Sequence, residues 1–582
     1  MKKIFLLLTL LCTALTLYAG PIGEQRAREI AQEFLSRHTT RAISAELELE
    51  WAGSDVDNNS STGNALDSSL LYIYNYGDNN GFVVVAGDSN INPIIAYSFE
   101  STLDMNNLPE ATAAILDAWC RQVEDARQSA KPISGTTMPT ATRTNDELLY
   151  ETALWNQLEP YNLETPIIDG KNTYTGCGAT AMAILCHYHR WPECGVGTTP
   201  AYSYTMYDTT YYVEANELGR KYDYDNMLTR YDEGYTEEQG YAVAALMKDI
   251  GTAIRMNYHT YGSGADSAVT IAAFTKYFGY SKKMEFAYNN GYSDKEWAEL
   301  VRTNLREYGP TLFCGTGDAG GHGFVVDGFK ADDYFHFNFG WSGDANGYYL
   351  IPNIEFYLNQ QIIVNFEPDR DGTTEYCDSV FLYTEKEFGG ILSHNTGEYA
   401  TGSPFECNIS GIVNLGVEDF VGDISLVLCD KDGNIKESLY TLNTTVHPLT
   451  ALFIEETIEV VITKTIEPGD NLRVYYKGEL SNEWKWARNY FYGTIIDKVL
   501  LTATPEQIAE GMTFEYDKSA NRLSITNKHA TKMSVYDNDT NELLDEDGYK
   551  ANETRTYSNL ESGTYRFEAS LGEEPYAFIV KL

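Results

Sequence analysis

Cys177 lies between two glycines at the point where a loop is predicted to become a helix. The residues from Ala179 onward are good helix formers, and neither glycine nor proline recurs before Pro192, which predicts a helix of about three turns. The free N–H groups and the positive dipole end at a helix N-terminus favour a thiolate over a thiol. The local pattern therefore predicts a nucleophilic sulfur, although a buried structural cysteine fits it equally well.

A cysteine nucleophile needs a histidine that holds it as the thiolate and later protonates the leaving amine. His187 and His189 follow ten and twelve residues along the same helix. At 1.5 Å per residue they are roughly 15 Å or more from the sulfur and do not reach it. His322 stands between glycines at the mouth of an apolar strand, and its separation of 145 residues from Cys177 lies in the range of papain-like enzymes. It is the strongest candidate, and a histidine that caps a glycine turn is the alternative.

Three further side chains are candidates to complete such a site. Asn338 lies on the strand after His322, and its amide oxygen is expected to accept the imidazole N–H. Trp341 is expected to shield that hydrogen bond from water, with a core aromatic as an equal alternative. Gln157 lies upstream of the cysteine, and its amide N–H with the backbone N–H of Cys177 is expected to form an oxyanion hole. A solvated loop residue is the alternative interpretation of Gln157.

The N-terminal part of the chain has the layout of an exported precursor. Residues 1–19 combine two lysines, an apolar run and a small residue at the end, which indicates a signal peptide. Residues 20–128 carry helix and strand signals and predict a small α+β propeptide domain. The stretch 129–145 is rich in Ser, Thr and Pro and is expected to be a cleavable linker. We expect a secreted, cell-surface or periplasmic protein without a membrane span.

The pattern of helix and strand signals in the remainder of the chain changes near residue 372. Residues 146–372 have helices first and strand signals second, which predicts a two-layer α+β domain. Residues 373–504 and 505–582 contain short strands separated by turn clusters, which predict a β-sandwich accessory domain and a smaller β domain. The expected architecture is therefore multidomain, and its C-terminal β domains are expected to contact a surface or a host protein.

The composition excludes several classes of function. The 42 Lys and Arg residues are outnumbered by 84 Asp and Glu, and the resulting net charge of -42 repels phosphate backbones, so we do not expect nucleic-acid binding. The nine cysteines form no CxxC pair, which argues against a zinc site and a dense disulfide framework. No metal and no cofactor are expected.

Five segments occur in the order seen in streptopain-like cysteine proteases, a family with the papain fold, and this chain resembles that family over roughly residues 146–368. The segments are Trp155–Asn162, Thr175–Ala183, His187–Pro192, Gly320–Gly328 and Phe335–Gly343. The resemblance implies a papain-like α+β catalytic domain with Cys177 as nucleophile, His322 as base and acid, Asn338 as orienter and Gln157 in the oxyanion hole. It also implies a secreted zymogen whose own propeptide blocks the cleft and whose substrates are proteins or peptides.

Two positions depart from the family pattern. Gly178 follows the cysteine where the family's namesake has a branched residue, and Phe339 replaces the tryptophan directly after the asparagine. Neither change removes a reacting group, but both are expected to alter the fit of a substrate.

The resemblance further implies where a substrate side chain binds. An S2 pocket that prefers an apolar P2 residue is expected near Gly321 and the loop residues Ser263, Gly264 and Ala265. Asp266 adds a preference for basic residues if it faces this pocket, whereas a helix N-cap is the favoured alternative for it.

The sequence leaves three functions open. The first is a cysteine endopeptidase, and the second is an amidase or transferase that directs the same Cys–His chemistry at cell-wall peptides. The third is an exported binding protein in which the papain-like domain is only structural. The complete set of candidate catalytic residues favours the first, because a binding scaffold has no need of them.

Overall fold

The structure is a computed structural model. The described ranges are 20–38, 47–54, 69–77, 81–106, 108, 110–128, 146–289, 292, 294–317, 320–330, 333–351, 358–385, 388–389, 391–393, 404–454, 457–464, 470–479, 483–488, 498–499, 512–517, 522–527, 531–537, 543–549, 553–558, 564–570 and 575–581. The predicted leader at 1–19 and the predicted linker at 129–145 lie outside the described residues.

The chain forms two compact units, Met1–Glu375 and Tyr376–Leu582. The first unit combines helices with strands, and the described part of the second contains strands. The described part of the chain contains six helices, all of them in the first unit. The helices are α1 (Glu24–His38), α2 (Glu110–Gln128), α3 (Cys177–His189), α4 (Glu237–Ala253), α5 (Ala268–Phe278) and α6 (Asp294–Tyr308).

The strands of the first unit are short, and most belong to one sheet. They are β1 (Leu47–Gly53), β2 (Leu71–Tyr76), β3 (Gly81–Ala86), β4 (Ile94–Ser98), β5 (Leu148–Leu149), β6 (Ile167–Ile168), β7 (Lys171–Asn172), β8 (Thr198–Thr199), β9 (Tyr202–Met206), β10 (Thr209–Val213), β11 (Asn216–Glu217), β12 (Glu285–Tyr288), β13 (Thr311–Gly317), β14 (Gly320–Phe329), β15 (Tyr334–Asn338), β16 (Gly347–Leu350) and β17 (Leu358–Val364).

A single 11-stranded sheet runs through the whole first unit, in the order β1-β2-β3-β4-β16-β15-β14-β13-β17-β12, with β5 paired to β14. The N-terminal strands join the central ones where β4 pairs antiparallel with β16, through Tyr97 opposite Tyr348 and Ala96 opposite Tyr349. A β4 edge left open would expose unpaired N–H and C=O groups, and this pairing satisfies them. The N-terminal region and the central region are thus parts of one sheet.

A large hydrophobic core of the unit lies on one face of this sheet and draws on both regions. Trp119 of α2 and Trp297 of α6 are buried in it together with Phe313 and Phe337 of the central strands. The ring of Trp119 packs against that of Tyr349, with centroids 5.8 Å apart. Burial of apolar surface on this scale holds the N-terminal region against the central strands.

Helix α3, which carries the candidate nucleophile, is buried because its sequence is apolar almost all round. Every residue from Ala179 to Cys186 is buried, and a helix without a polar face has to lie inside the protein. It packs against β14, the strand of His322, and against α4. The first residue of α3 therefore meets a strand from much later in the chain.

The second unit is built from strands alone in its described part. They are β18 (Val380–Leu382), β19 (Thr384–Glu385), β20 (Phe388–Gly389), β21 (Ile391–Ser393), β22 (Pro404–Ile409), β23 (Gly411–Asn414), β24 (Phe420–Cys429), β25 (Ile435–Val446), β26 (Thr450–Phe453), β27 (Ile458–Val461), β28 (Asn471–Gly478), β29 (Lys485–Trp486), β30 (Lys498–Val499), β31 (Met512–Asp517), β32 (Arg522–Asn527), β33 (Thr531–Asp537), β34 (Leu543–Tyr549), β35 (Glu553–Ser558), β36 (Thr564–Ser570) and β37 (Pro575–Lys581).

These strands form several small antiparallel sheets. The largest has the order β25-β24-β28-β29, with β30 paired to β28, and a three-stranded and a four-stranded sheet lie closer to the C-terminus. The alternating burial along β22 and β27 puts one side of each strand into a hydrophobic core, as the short-strand pattern of the sequence predicts. Over the described residues, no helix has the length and apolar character required to cross a membrane.

Candidate active site

Cys177 is the first residue of α3, as the sequence predicts. Gly176 precedes it with φ 88° and ψ 143°, and no side chain caps the helix start, so the N-terminal N–H groups are left for other acceptors. The N–H of Gly323 points at the Cys177 sulfur with an N···Sγ distance of 3.4 Å. The sulfur is half-buried at the end of a helix and receives backbone donors.

His322 lies next to this sulfur. Burial alone would raise the pKa of the Cys177 thiol, but a hydrogen bond and the charge of His322, together with the N–H groups of Gly323 and Gly178, lower the pKa below its ordinary value. Each of these groups interacts better with a thiolate than with a thiol. The structure thus joins two residues that are far apart in sequence, and it holds the sulfur in an environment that favours the anion.

The imidazole of His322 is held from its other side by a backbone group. Its Nε2 lies 3.0 Å from the carbonyl oxygen of Phe339, which can only accept, so this nitrogen carries the proton. The hydrogen bond between His322 and the Cys177 sulfur is then assigned to the other ring nitrogen, Nδ1. A carbonyl acceptor at Nε2 both orients the ring and stabilises the imidazolium.

The expectation that the side chain of Asn338 accepts the imidazole N–H is wrong. Its Nδ2 donates to Thr152 Oγ1 and to the Ala153 carbonyl, each at 2.9 Å, and its Oδ1 accepts the N–H of Gly340 at 3.1 Å. The strand pattern predicts the face on which a side chain lies but not which of its neighbours it bonds. Asn338 instead holds the peptide unit whose carbonyl His322 uses.

Trp341 packs on the imidazole itself rather than over an Asn–His hydrogen bond. Its ring centroid lies 5.0 Å from that of His322 at an interplanar angle of 31°, and it stacks on Phe339 at 5.0 Å and 14°. Phe324 packs on the imidazole as well, at 5.5 Å and 21°. These rings restrict the motion of the imidazole and limit the access of water to it.

Asn346 is a further residue of the site, and no sequence pattern points to it. This side chain is 1% exposed, and its Oδ1 accepts the N–H of Phe339 at 3.1 Å. It lies in a polar Asp-Ala-Asn-Gly run that predicts a surface turn, so the sequence carries no signal for a buried role. Together, Asn346 and Asn338 bind the two peptide units on either side of Phe339.

Gln157 lies beside the segment that leads to the cysteine. Its backbone carbonyl accepts the N–H of Thr175 at 3.1 Å, and its own N–H donates to Asn156 Oδ1 at 2.6 Å. The side chain is half-buried, and no described group forms a hydrogen bond with its amide. The amide is thus available to a ligand near the start of α3.

The expected substrate-side residues lie in two places. Gly321 is exposed on β14, one residue before His322. Ser263 accepts the N–H of His259 at 2.9 Å and donates to the carbonyl of Tyr174 at 2.8 Å, which ties its loop to the segment before Cys177. Gly264 and Ala265 follow in the same loop, of which Gly264 is exposed and Ala265 half-buried.

Asp266 is engaged locally. Its Oδ1 accepts the N–H of Ala268 at 3.0 Å, but the N-cap residue of α5 is Ser267, so Asp266 is not the helix cap that the alternative predicts. Among the other histidines, His336 is buried against Asp327, with Nδ1 2.5 Å from Oδ1. It does not belong to the cysteine site.

Comparison with known proteins is consistent with this geometry. A model of the Peptidase C10 family matches residues 155–349, and a model described as Spi protease inhibitor matches residues 19–123. Interpain A, a cysteine protease of Prevotella intermedia with a solved structure, is 30% identical to this chain over 41% of the chain and 99% of interpain A, with a TM-score of 0.34. The chain belongs to the Peptidase C10 family. Its central region is therefore of the cysteine peptidase type.

Other relatives match larger parts of the chain. A fragment of prointerpain A from the same organism is 25% identical, covers 57% of this chain and all of the fragment, and has a TM-score of 0.46. Streptopain of Streptococcus pyogenes is 28% identical over 50% of this chain and 75% of streptopain. The thiol protease/hemagglutinin PrtT of Porphyromonas gingivalis is also 28% identical, over 62% of this chain, but the match spans only 41% of PrtT.

Proposed function

We propose that the protein is a secreted cysteine endopeptidase that is made as a zymogen. The observation that carries the proposal is the environment of the Cys177 sulfur, which meets His322 and the N–H of Gly323 at the start of a helix. A thiolate next to an imidazolium is the reactive form of such a pair. Family membership supports the class of reaction.

The proposed mechanism assigns one task to each group. The Cys177 thiolate attacks the carbonyl carbon of a peptide bond, and the oxyanion is bound by the Gln157 amide and the Cys177 N–H. The imidazolium of His322 then gives its Nδ1 proton to the leaving amine, which departs and leaves a thioester. Water, deprotonated by His322, hydrolyses the thioester and returns the thiolate. Trp341 keeps bulk water from the imidazole.

We propose the following division of the precursor. Residues 1–19 are a signal peptide, 20–128 an inhibitory α+β propeptide, and 129–145 the segment that is cut. Residues 146–372 form the papain-like α+β catalytic domain. The remaining residues form a β-sandwich, 373–504, and a small β domain, 505–582, which bind a cell surface or a host protein.

The contact between the N-terminal region and the loop after Trp341 supports inhibition within the chain. Ser101 Oγ donates to the backbone carbonyl of Asn346 at 3.3 Å. Next to this bond the two regions together line one cavity, formed by Glu100, Ser101, Thr102, Leu154, Arg230, Gly343 and Asp344. A substrate that extends past Trp341 in this direction would meet the N-terminal region. Release of that region after cleavage would open the path.

Maturation of the full chain tests the proposal. Wild-type protein is expected to lose residues up to the 129–145 segment, and Cys177→Ala is expected to persist as the unprocessed form, as judged by intact mass and N-terminal sequencing. Cys194→Ala is a matched control, because Cys194 is also half-buried but lies outside the site. Equal processing of wild type and Cys177→Ala would mean that another protease makes the cut.

Substrate assays separate the proposed activity from the alternatives. Processed wild type is expected to degrade denatured casein and to leave peptidoglycan intact. Activity on peptidoglycan alone would replace the endopeptidase by a cell-wall amidase or transferase. Absence of both activities, with Cys177 unreactive towards a thiol-directed epoxide inhibitor, would leave only a binding function.

A further inference from the structure

The peptide units around Phe339 are held in a way that the proposed mechanism does not by itself explain. His322 bonds the Phe339 carbonyl, which belongs to the peptide unit between Phe339 and Gly340. Asn338 Oδ1 accepts the N–H of that same unit. Asn346 Oδ1 accepts the N–H of the preceding unit, between Asn338 and Phe339. When both flanking peptide planes are held, the direction of the Phe339 carbonyl is determined.

The Asn346 side chain serves chiefly as an acceptor. It is almost wholly buried, and among the described residues its Nδ2 finds no hydrogen-bond partner. A buried amide that leaves its donor unsatisfied costs stability, which is the kind of exception that functional sites contain. The assignment of oxygen and nitrogen follows from the partner, because an N–H group requires an acceptor.

The position of Asn346 is itself secured by the sheet. It directly precedes β16, which pairs with β15 through Gly347 opposite Phe337, and its own N–H donates to the Gly343 carbonyl at 3.1 Å. The Asn346 side chain is therefore a rigid reference point against which the Phe339 peptide is set.

We infer that Asn346 is a positioning residue for the catalytic histidine, acting through the Phe339 backbone to aim the carbonyl that holds His322. The inference rests on the proposed roles of Cys177 and His322. Without the Asn346 acceptor, only the bond from Gly340 N–H to Asn338 still holds the peptide units around Phe339, so the carbonyl shifts from the Nε2–H direction and its hydrogen bond to the imidazolium weakens. The thiolate form of Cys177 then becomes less populated at a given pH.

Asn304 provides a matched control. It is also a buried amide, 4% exposed, whose Oδ1 accepts a backbone N–H, that of Asn365, at 3.1 Å, and whose Nδ2 finds no partner among the described residues. It lies on α6 and is not in contact with the cysteine site. Asn304→Ala and Asn346→Ala therefore delete the same kind of hydrogen bond at two different places.

The test measures the rate of Cys177 alkylation by iodoacetamide against pH in the full chain, with the modified peptide quantified by mass spectrometry. In Asn346→Ala the profile is expected to shift upward by about one pH unit, equal to about tenfold less thiolate below the midpoint. Asn304→Ala should follow the wild type, and Asn346→Asp, which retains an acceptor oxygen, should restore the wild-type profile. On casein-derived peptides, Asn346→Ala should lower kcat about tenfold and leave KM nearly unchanged.

The outcomes distinguish the inference from the proposed function. A wild-type profile in Asn346→Ala, or a shift of the same size in Asn304→Ala, overturns the positioning role while the peptidase proposal stands. Failure of Asn346→Asp to restore the profile also overturns it. If Asn346→Ala does not fold, Asn346→Leu fills the same volume without an acceptor and takes its place. If wild type cleaves no peptide but the shift occurs, the peptidase proposal fails and the positioning role remains.

Discussion

The imidazole of His322 is held by the backbone carbonyl of Phe339, through an Nε2···O distance of 3.0 Å. A backbone carbonyl is present whatever residue occupies the position, so the phenylalanine at 339, where the family pattern has tryptophan, does not remove the bond. The identity of residue 339 matters instead for the aromatic packing around the imidazole. The departure noted in the sequence is therefore compatible with an intact Cys–His pair.

Replacing Trp341 is expected to lower activity through the imidazole. Trp341→Ala removes the ring that packs on His322, and an aromatic contact of this kind contributes about 0.5–1.5 kcal/mol, so kcat/KM should fall about two- to twelvefold. Trp341→Phe keeps a smaller ring against the imidazole, so its loss of transition-state free energy should be about half that of Trp341→Ala. Peptide hydrolysis by processed enzyme measures both. Trp484→Ala, which alters an exposed tryptophan of the second unit, should leave kcat/KM unchanged. An equal loss in Trp341→Phe and Trp341→Ala would argue against ring packing as the cause.

Asn338 is expected to contribute to stability as well as to catalysis. Asn338→Ala leaves the buried Gly340 N–H and Ala153 carbonyl without their partner, and each such loss costs about 1–3 kcal/mol. The urea midpoint of the first unit should fall, and kcat should fall because the Phe339–Gly340 peptide is released.

Asn414 offers a control with a similar bonding pattern. Its Oδ1 accepts the N–H of Gly416 at 2.8 Å, and its Nδ2 donates to two backbone carbonyls, of Glu418 and Val446. Asn414→Ala should destabilise the second unit by a similar amount without changing kcat. If Asn338→Ala retained the wild-type kcat, that result would contradict the role of Asn338 in holding the Phe339 carbonyl that bonds His322.

The two glycines that flank Cys177 are expected to respond in opposite ways to alanine. A Cβ at Gly176, where φ is +88°, would lie 2.5 Å from Met256 Sδ, so Gly176→Ala should destabilise the protein by about 1–3 kcal/mol and displace the sulfur. A Cβ at Gly178 would meet only Ile254 Cδ1, at 3.7 Å. Because alanine favours a helix, Gly178→Ala should stabilise by about 0.5–1 kcal/mol.

Thermal melts and active-site titration of the two variants measure these effects. Gly178→Ala retains the N–H that faces the sulfur, so its titratable thiol should remain. Destabilisation of both variants to a similar degree would show that the start of α3 is strained at both positions.

The buried pair of His336 and Asp327 is expected to make stability depend on pH. Burial alone would lower the pKa of His336, but Asp327, with a further contribution from Glu100, raises it above the ordinary 6.5, against a smaller opposing effect of Lys330. The folded state thus binds the proton more tightly than the unfolded chain. The resulting stabilisation is complete below pH 6.5 and is lost as pH rises through the folded-state pKa.

Denaturant unfolding of wild type and His336→Asn measures this effect. The wild type should exceed the variant in stability by more at about pH 6 than at about pH 8. Tyr348, whose ring packs on the imidazole, has its own pKa raised by burial and stays neutral over this range. His447→Asn is the control, since His447 pairs with Asp419 at the surface, where such pairs contribute little. An identical pH dependence in wild type and His336→Asn would contradict the linkage.

The sequence by itself determined the elements of local physical chemistry. The helix that starts at Cys177 follows from its run of helix formers, and the exclusion of His187 and His189 follows from helix geometry. The choice of His322 used the requirement for a base, the glycines around it and its separation from Cys177. These inferences depend on spacing within one element or on the chemistry of one residue type, and both can be read directly from the sequence.

Tertiary structure alone decided which atoms meet. The alternation along β15 predicts the face on which Asn338 lies. Its amide nitrogen donates to Thr152 and Ala153, and the ring of His322 bonds the Phe339 carbonyl. The role of Asn346 depends on a fold that buries a turn, and the pairing of β4 with β16 joins segments about 250 residues apart. Contacts of this kind arise because burial and hydrogen-bond satisfaction are settled over the whole unit at once, and no local pattern encodes them.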